Sequence, residues 1–206
     1  MSADILAVAP ESKNAAAAIG DAAANEGETN ASADVFLQDS WSLYFHDPAD
    51  ECWDFATSYK HLCTISSVND FLEMHAAFRN LWSKAMFFVS RAHITPVWED
   101  SHHIRGGCLS FKVMKNEVPL VWSELTSRLV GETLASAGAG AERVTTVSIS
   151  PKRSYCILRI WVADETMQAP ELYSFRAPSY SQLLYKSHRE AEGNRIGAER
   201  TERGAQ

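Results

Sequence analysis

Several features that would each name a function class are missing from this chain. The four cysteines (Cys52, Cys63, Cys108, Cys156) are scattered and form no C-x-x-C pair. That excludes a zinc-ribbon or thioredoxin-type reading and fits reduced thiols, so the expected compartment is cytoplasmic, and also nuclear. His102-His103 with Cys108, and His61 with Cys63, lack the four-ligand spacing of a zinc site, so neither a metal nor any other cofactor is expected. Gly138-Ala139-Gly140 has no following lysine and reads as a loop. No Ser/His/Asp nucleophile signature is present. Arg189-Glu190-Ala191-Glu192-Gly193 lacks the further carboxylates of a pyrophosphate-hydrolase box and reads as a solvated tail. No apolar run is long enough for a membrane span, and no charged-then-apolar leader opens the sequence. Basic excess is absent too: net charge is −7 and the isoelectric point about 5.5. A sequence-blind duplex binder carries a basic footprint, and this chain does not. What remains is a binder rather than an enzyme.

The chain has 206 residues, of which 46% are apolar, enough for one substantial core. Residues 1–34 are low in complexity, with Ala15-Ala16-Ala17-Ala18, Ala22-Ala23-Ala24 and scattered carboxylates. Such a segment buries too little apolar area to offset its ordering entropy and is expected to be a disordered acidic arm. Residues 35–188 are expected to form the folded domain, and 189–206 a mobile charged tail, with mixed charge starting from Ser187.

Within the domain, Leu37, Asp39, Trp41, Leu43 and Phe45 alternate with polar neighbours at a strand period. Asp47-Pro48-Ala49-Asp50 turns the chain, and Trp53 follows in a polar loop. His61 to Ser66 reads as a strand. Ser67 with Asp70 reads as a capping box that opens a helix carrying Phe71, Met74, Phe78, Leu81 and Trp82 on one face. Met86 to Arg91 reads as a strand, 92–107 as a loop, and Leu109, Phe111 and Val113 as a further strand. A second helix is expected from about Pro119 to Leu134, and 135–142 as a flexible connection. Val144 to Ser150 and Tyr155 to Ala163 read as a hairpin around Pro151-Lys152-Arg153-Ser154. In its second strand, Cys156, Leu158, Ile160 and Val162 face a core, while Tyr155, Ile157, Arg159 and Trp161 face the other way. A weak helix or turn is expected near 168–176 and a last short strand at Gln182 to Tyr185. Hairpins dominate, so the expected class is α+β, an antiparallel sheet with helices on one face.

The most informative residues are Trp98-Glu99, inside Pro96-Val97-Trp98-Glu99-Asp100 and ahead of Arg105-Gly106-Gly107. A large π face beside an acceptor-only carboxylate suits a planar, electron-poor base whose edge donates hydrogen bonds. Trp53 can supply the second side of a sandwich, and Trp161 ends a strand that follows a basic turn. Taken singly, Trp98 and Trp161 are as readily packing residues, whereas Trp53, in a polar loop, has no obvious helix or strand face to fill. Trp41, Trp82 and Trp122 have helix or strand faces to fill and read as core.

In order and spacing these landmarks resemble the eukaryotic translation initiation factor 4E family, which binds the 5′ cap of messenger RNA. The resemblance covers Val35 to His188. It rests on Leu37-Gln38-Asp39-Ser40-Trp41-Ser42-Leu43-Tyr44-Phe45, Trp53, Val68-Asn69-Asp70-Phe71, Pro96-Val97-Trp98-Glu99-Asp100, Arg105-Gly106-Gly107, Trp122 with Gly131-Glu132, Ile160-Trp161, and Tyr185-Lys186-Ser187-His188. It implies a curved antiparallel sheet with helices on the convex face and a cap slot on the concave one. By the same resemblance, Trp53 and Trp98 sandwich 7-methylguanine, Glu99 accepts its ring N–H and amino hydrogens, Trp161 packs near the methyl group, and Lys152 and Arg153 hold the phosphates. Val68, Leu72 and Trp122 correspond to a back surface for a scaffold of the initiation factor 4G type, or for a binding protein with a helical motif. The expected role is recruitment of capped mRNA to that scaffold by a monomer. The alternatives are a cap-binding repressor and an interaction module that has lost the cap.

Physical reasoning supports the same ligand. Methylation at position 7 leaves a delocalised positive charge, and a cation between indole faces gains on top of stacking. Stacking contributes about 1–3 kcal/mol per base, and a charge-assisted hydrogen bond about 1.5–3 kcal/mol. The chain also departs from the family. Leu72 stands where a tryptophan is usual, Ser123 where a leucine is usual, and Cys108 where an arginine usually follows the glycine pair. Pro170 and Pro178 fall where a longer helix is expected. These changes thin the apolar back surface and the phosphate cations.

Overall fold

The computed structural model describes residues 34–189. The expected arm and tail, apart from Asp34 and Arg189, lie outside the described residues. Seven strands form one antiparallel, curved sheet in the order β2-β1-β3-β5-β6-β4-β7. They are β1 (Phe36–His46), β2 (Tyr59–Ser67), β3 (Met86–Arg91), β4 (Gly107–Met114), β5 (Val144–Pro151), β6 (Tyr155–Val162) and β7 (Leu184–Ser187). Three helices accompany them: α1 (Phe55–Ser58), α2 (Val68–Phe78) and α3 (Val118–Val130).

The period-2 patterns put one set of side chains on the helix side of the sheet. Trp41, Leu43 and Phe45 of β1 are buried there with Phe87 and Val89 of β3, Val147 and Ile149 of β5, Leu158 and Ile160 of β6, and Leu109, Phe111 and Val113 of β4. Met74 and Phe78 of α2 and Trp122, Leu125 and Leu129 of α3 close the core from outside, with Trp82 and Trp122 ring to ring at 5.8 Å. Burying each such side chain stabilises the fold by about 1.5–3 kcal/mol.

Helix α2 begins as its sequence requires. Ser67 accepts from the Asp70 backbone N–H, and the Asp70 carboxylate accepts from the Ser67 and Ser66 N–H groups. Helix α3 carries its proline in the first turn and stops at Gly131, short of the expected Leu134. The residues after it turn through Glu132 at φ 54°, Gly138 at φ 84° and Gly140 at φ 85°.

The sheet closes at a buried ion cluster. Arg91, at the end of β3, donates to Asp39 at 2.7 Å and to both oxygens of Glu132 at 2.7 Å. It also reaches the Ala141 and Val144 carbonyls at 3.1 and 3.3 Å, and its guanidinium lies 4.6 Å from the Trp41 ring centroid. One side chain thereby ties β1, β3, the end of α3 and the connection to β5.

Two local expectations need correction. The last strand is Leu184–Ser187, two residues later than the sequence pattern suggested, because it pairs with β4 as Gly107↔Ser187 and Ser110↔Leu184. Ser187 and His188, at the end of the expected domain, are buried. The one-turn helix α1 was not anticipated; Asp54 caps it by accepting from the Thr57 N–H and hydroxyl. Near 168–176 the chain makes short 3-10 turns at Glu165–Met167 and Pro170–Leu172.

Candidate cap-binding site

The second face of the sheet carries a different chemistry. Register aligns Tyr44, Phe88, Ser148, Arg159, Ser110 and Leu184 in one row across β1, β3, β5, β6, β4 and β7. The next row runs Ser42, Ser90, Thr146, Trp161, Cys108 and Lys186. The rows mix aromatic rings with small hydroxyls; Phe55 of α1 packs on Tyr44 at 5.4 Å, and Ser90, Thr146 and Ser148 are fully buried.

Two loops carry the predicted tryptophans Trp53 and Trp98 and the glutamate Glu99. The first joins β1 to α1 and carries Trp53, which is 56% exposed. Its indole lies flat on the His46 ring, with centroids 4.2 Å apart and planes at 10°. Tyr59 stands edge-on to both, 5.0 Å from His46 and 6.5 Å from Trp53. Tyr59 in turn leans on Phe88 at 5.2 Å, and Phe88 on Trp161 at 6.4 Å.

The second loop, residues 92–106, carries half-buried Trp98 and exposed Glu99. Burial, and then the nearby Glu99 charge, raise the Tyr59 phenol above its ordinary value. The Glu99 charge is thus near enough to be felt at Tyr59, which stands edge-on to Trp53. Asp100 braces the loop by accepting from the Thr95 N–H at 3.0 Å and the His102 N–H at 2.9 Å. Burial alone would raise the Asp100 carboxyl; the hydrogen bonds from His102 and Thr95 outweigh it and hold the group low. His103 is fully buried and bonds the Val97 carbonyl and Thr145 Oγ1, each at 2.8 Å. His188 locks the far end, its N–H donating to the Gly106 carbonyl at 3.0 Å and its Nδ1 lying 2.9 Å from the His103 carbonyl.

Trp161 is 9% exposed and forms floor rather than wall. It donates from Nε1 to Ser148 Oγ at 3.0 Å and touches the His103 and His188 rings at 5.2 Å each. Lys152 and Arg153 are exposed in the β5–β6 turn. Tyr155, where β6 begins, is six residues from Trp161, or about 20 Å at ordinary strand rise. The cation beside Trp161 on the same face is Arg159, which donates to Ser150 Oγ at 3.0 Å. Beyond it the face opens into a groove lined by Ser110, Lys112, Ile157, Tyr180 and Leu184. Among the described residues no group of three or more His, Cys, Asp or Glu is placed to hold a metal ion.

On the helix side, Val68 is 38% and Leu72 57% exposed on α2. Trp122 is fully buried against Trp82, so its ring cannot meet a partner as the sequence comparison suggested. His46, Asp100, His103 and His188 escaped the sequence reading as supports. The parity of Ser42, Tyr44 and His46 along β1 was the available signal for the first of them.

Comparison with known proteins agrees with this architecture. The family profile described as Eukaryotic initiation factor 4E matches residues 36–201. A protein of Acanthamoeba polyphaga mimivirus, described as a eukaryotic translation initiation factor 4E homolog, is 26% identical over 137 residues, 56% of this chain and 50% of that protein. The chain thus spans half the length of this curated relative. The fold resembles C. elegans eIF4E-3 in complex with the 4E-binding protein Mextli and a cap analog, at 19% identity and TM-score 0.63, over 78% of this chain and 96% of that one. It also resembles schistosome eIF4E complexed with m7GpppG and 4E-BP, at 22% identity and TM-score 0.57, over 65% of this chain and 75% of that one. A curved antiparallel sheet backed by helices, with ordered landmarks along nearly its whole described length, places this chain in the eukaryotic initiation factor 4E family.

Proposed function

We propose that the chain binds the 7-methylguanosine cap of mRNA on the concave face of its sheet. Trp53 and Trp98 are the two stacking faces, Glu99 takes the donor edge of the base, and Trp161 floors the slot near the methyl group. The observation that carries this reading is that Trp53 stands 6.5 Å from Tyr59 while the Glu99 charge, from a distant loop, lies near enough to be felt at the same phenol. A sheet face with a flat exposed indole and a carboxylate at one end suits a flat cation with hydrogen-bond donors. Arg159, on the same face as Trp161, is the proposed cation for the phosphates, with Lys152 and Arg153 farther along the hairpin. Relatives solved with cap analogs, such as the C. elegans and schistosome proteins, support the same ligand class.

The back of α2, with Val68 and Leu72 exposed, is the proposed docking face for a translation scaffold or a 4E-binding protein. Leu72 offers less apolar area than the tryptophan usual in the family. A cap-binding repressor that recruits the scaffold poorly is therefore the second reading.

The test is a titration of the full chain with 7-methyl-GTP against GTP, on wild type, Trp98→Ala and Glu99→Ala. The expected result is a clear preference for the methylated nucleotide that both substitutions weaken by about tenfold or more. A folded protein without methyl preference would sink the cap reading and leave an interaction module.

A further inference from the structure

His46 is the last residue of β1 and is fully buried, yet the ring lying on it belongs to a residue that is 56% exposed. Its Nε2 sits 2.9 Å from the Cys52 carbonyl. A carbonyl only accepts, so Nε2 carries a proton and donates it to the Cys52 carbonyl. The Nδ1 of the ring is buried and finds no hydrogen-bond partner among the described residues.

Besides the Tyr59 ring edge-on at 5.0 Å, two contacts of this imidazole converge on Trp53. The flat face supports the Trp53 indole at 4.2 Å, and the Nε2–H holds the backbone of the residue just before Trp53. The rest of the loop is fastened at Asp47, Asp50 and Asp54. Those bonds fix the backbone on either side but leave the indole itself to His46 and Tyr59.

We infer that His46 is a positioning residue for Trp53. It is a flat, buried plate that holds the indole with one face outward before any ligand arrives. The inference rests on the reading of Trp53 as one half of the cap sandwich. An exposed indole on a free side chain loses rotamer freedom when a base stacks on it; an indole already seated on a buried ring loses little. Removing the plate should therefore weaken binding on the order of 3- to 10-fold without altering a single ligand contact.

The test is a 7-methyl-GTP titration of the full chain carrying His46→Leu or His46→Phe, each alone and combined with Trp53→Ala. Leucine fills the space with neither flat face nor donor, and phenylalanine restores the face. His46→Leu should weaken binding, and His46→Phe should regain most of the loss. With Trp53 already replaced, His46→Leu should change little, because its effect passes through that ring. An equal loss in both backgrounds, or no recovery by phenylalanine in a folded protein, would overturn the inference.

A ligand-free readout separates this inference from the cap reading. Acrylamide quenching of the indole emission assigned to Trp53, by difference from Trp53→Phe, should increase in His46→Leu. If wild type shows no methyl preference, the cap reading fails, and the quenching alone decides whether His46 holds Trp53. Unchanged quenching would overturn the positioning role.

Discussion

His103 Nδ1 lies 2.8 Å from the Val97 carbonyl, one residue before Trp98. The carbonyl accepts, so Nδ1 carries the proton, and Nε2 is free to accept from Thr145 at 2.8 Å. Burial pushes the His103 imidazole down to about 4 from an ordinary 6.5. Above pH 6.5 neither the folded nor the unfolded chain protonates this ring, and its full contribution is present. Below that the unfolded chain takes up the proton first, so stability falls until the pH reaches about 4. A shift of this size amounts to roughly 3 kcal/mol. His75, also brought down to about 4 by burial, adds to the same slope. Urea midpoints between pH 7.5 and 4.5 should fall, and fall less steeply in His103→Gln. An unchanged slope in that variant would count against His103 as the titrating group.

Arg91→Met should destabilise the fold by about 3–5 kcal/mol, because it leaves Asp39 and Glu132 as half-buried charges without their cation. Adding Glu132→Gln should recover part of that loss. Chemical denaturation of the single and double variants measures both. If the second change makes matters worse, Glu132 is held by something other than Arg91.

Gly106 packs where no side chain fits. A Cβ there would stand 1.8 Å from the Val162 carbonyl oxygen, which is backbone and cannot swing aside. Gly106→Ala should cost about 1–3 kcal/mol and loosen the 92–106 loop. Gly138→Ala meets no atom within 4 Å but sits at φ 84°. It should cost about 1–2 kcal/mol from backbone strain alone, with nucleotide binding unchanged. Thermal melts with parallel titrations distinguish the two.

Arg159→Gln should weaken 7-methyl-GTP about tenfold, by loss of a charge-assisted contact to phosphate, and leave 7-methylguanosine nearly unaffected. Paired Lys152→Gln and Arg153→Gln changes should matter less for the short nucleotide and more for a longer capped RNA. Equal losses with the nucleoside and the nucleotide would remove Arg159 from the phosphate path.

Strand alternation from Leu37 to Phe45, the Ser67–Asp70 capping box and the hairpin at Lys152-Arg153 were readable because periodicity and capping are local properties. Helix α1 was not, since a single turn capped by Asp54 is too short to show a period. The strand at Leu184 to Ser187 was displaced by two residues because its register comes from β4, far away in the chain. The tryptophan and glutamate of the site were legible as residue types. Their supports were not: His46, His103 and His188 act through distant carbonyls and rings that no sequence spacing records. Trp122 misled as a partner contact because a helix pattern shows which face is apolar, not which apolar residue reaches the surface.

The fastening of the Trp98 loop also sets an order of events during synthesis. Two of its anchors come from Thr145 and His188, 42 and 85 residues after His103 and beyond the loop they secure. Contacts that span so much chain form late. A growing polypeptide can assemble β1, β2 and α2 well before the ribosome has released β7. Hydrogen exchange during refolding should accordingly protect the α2 amides ahead of those in residues 95–106. The helix that carries the proposed docking face thus matures before the loop that carries Trp98 and Glu99 of the proposed cap slot.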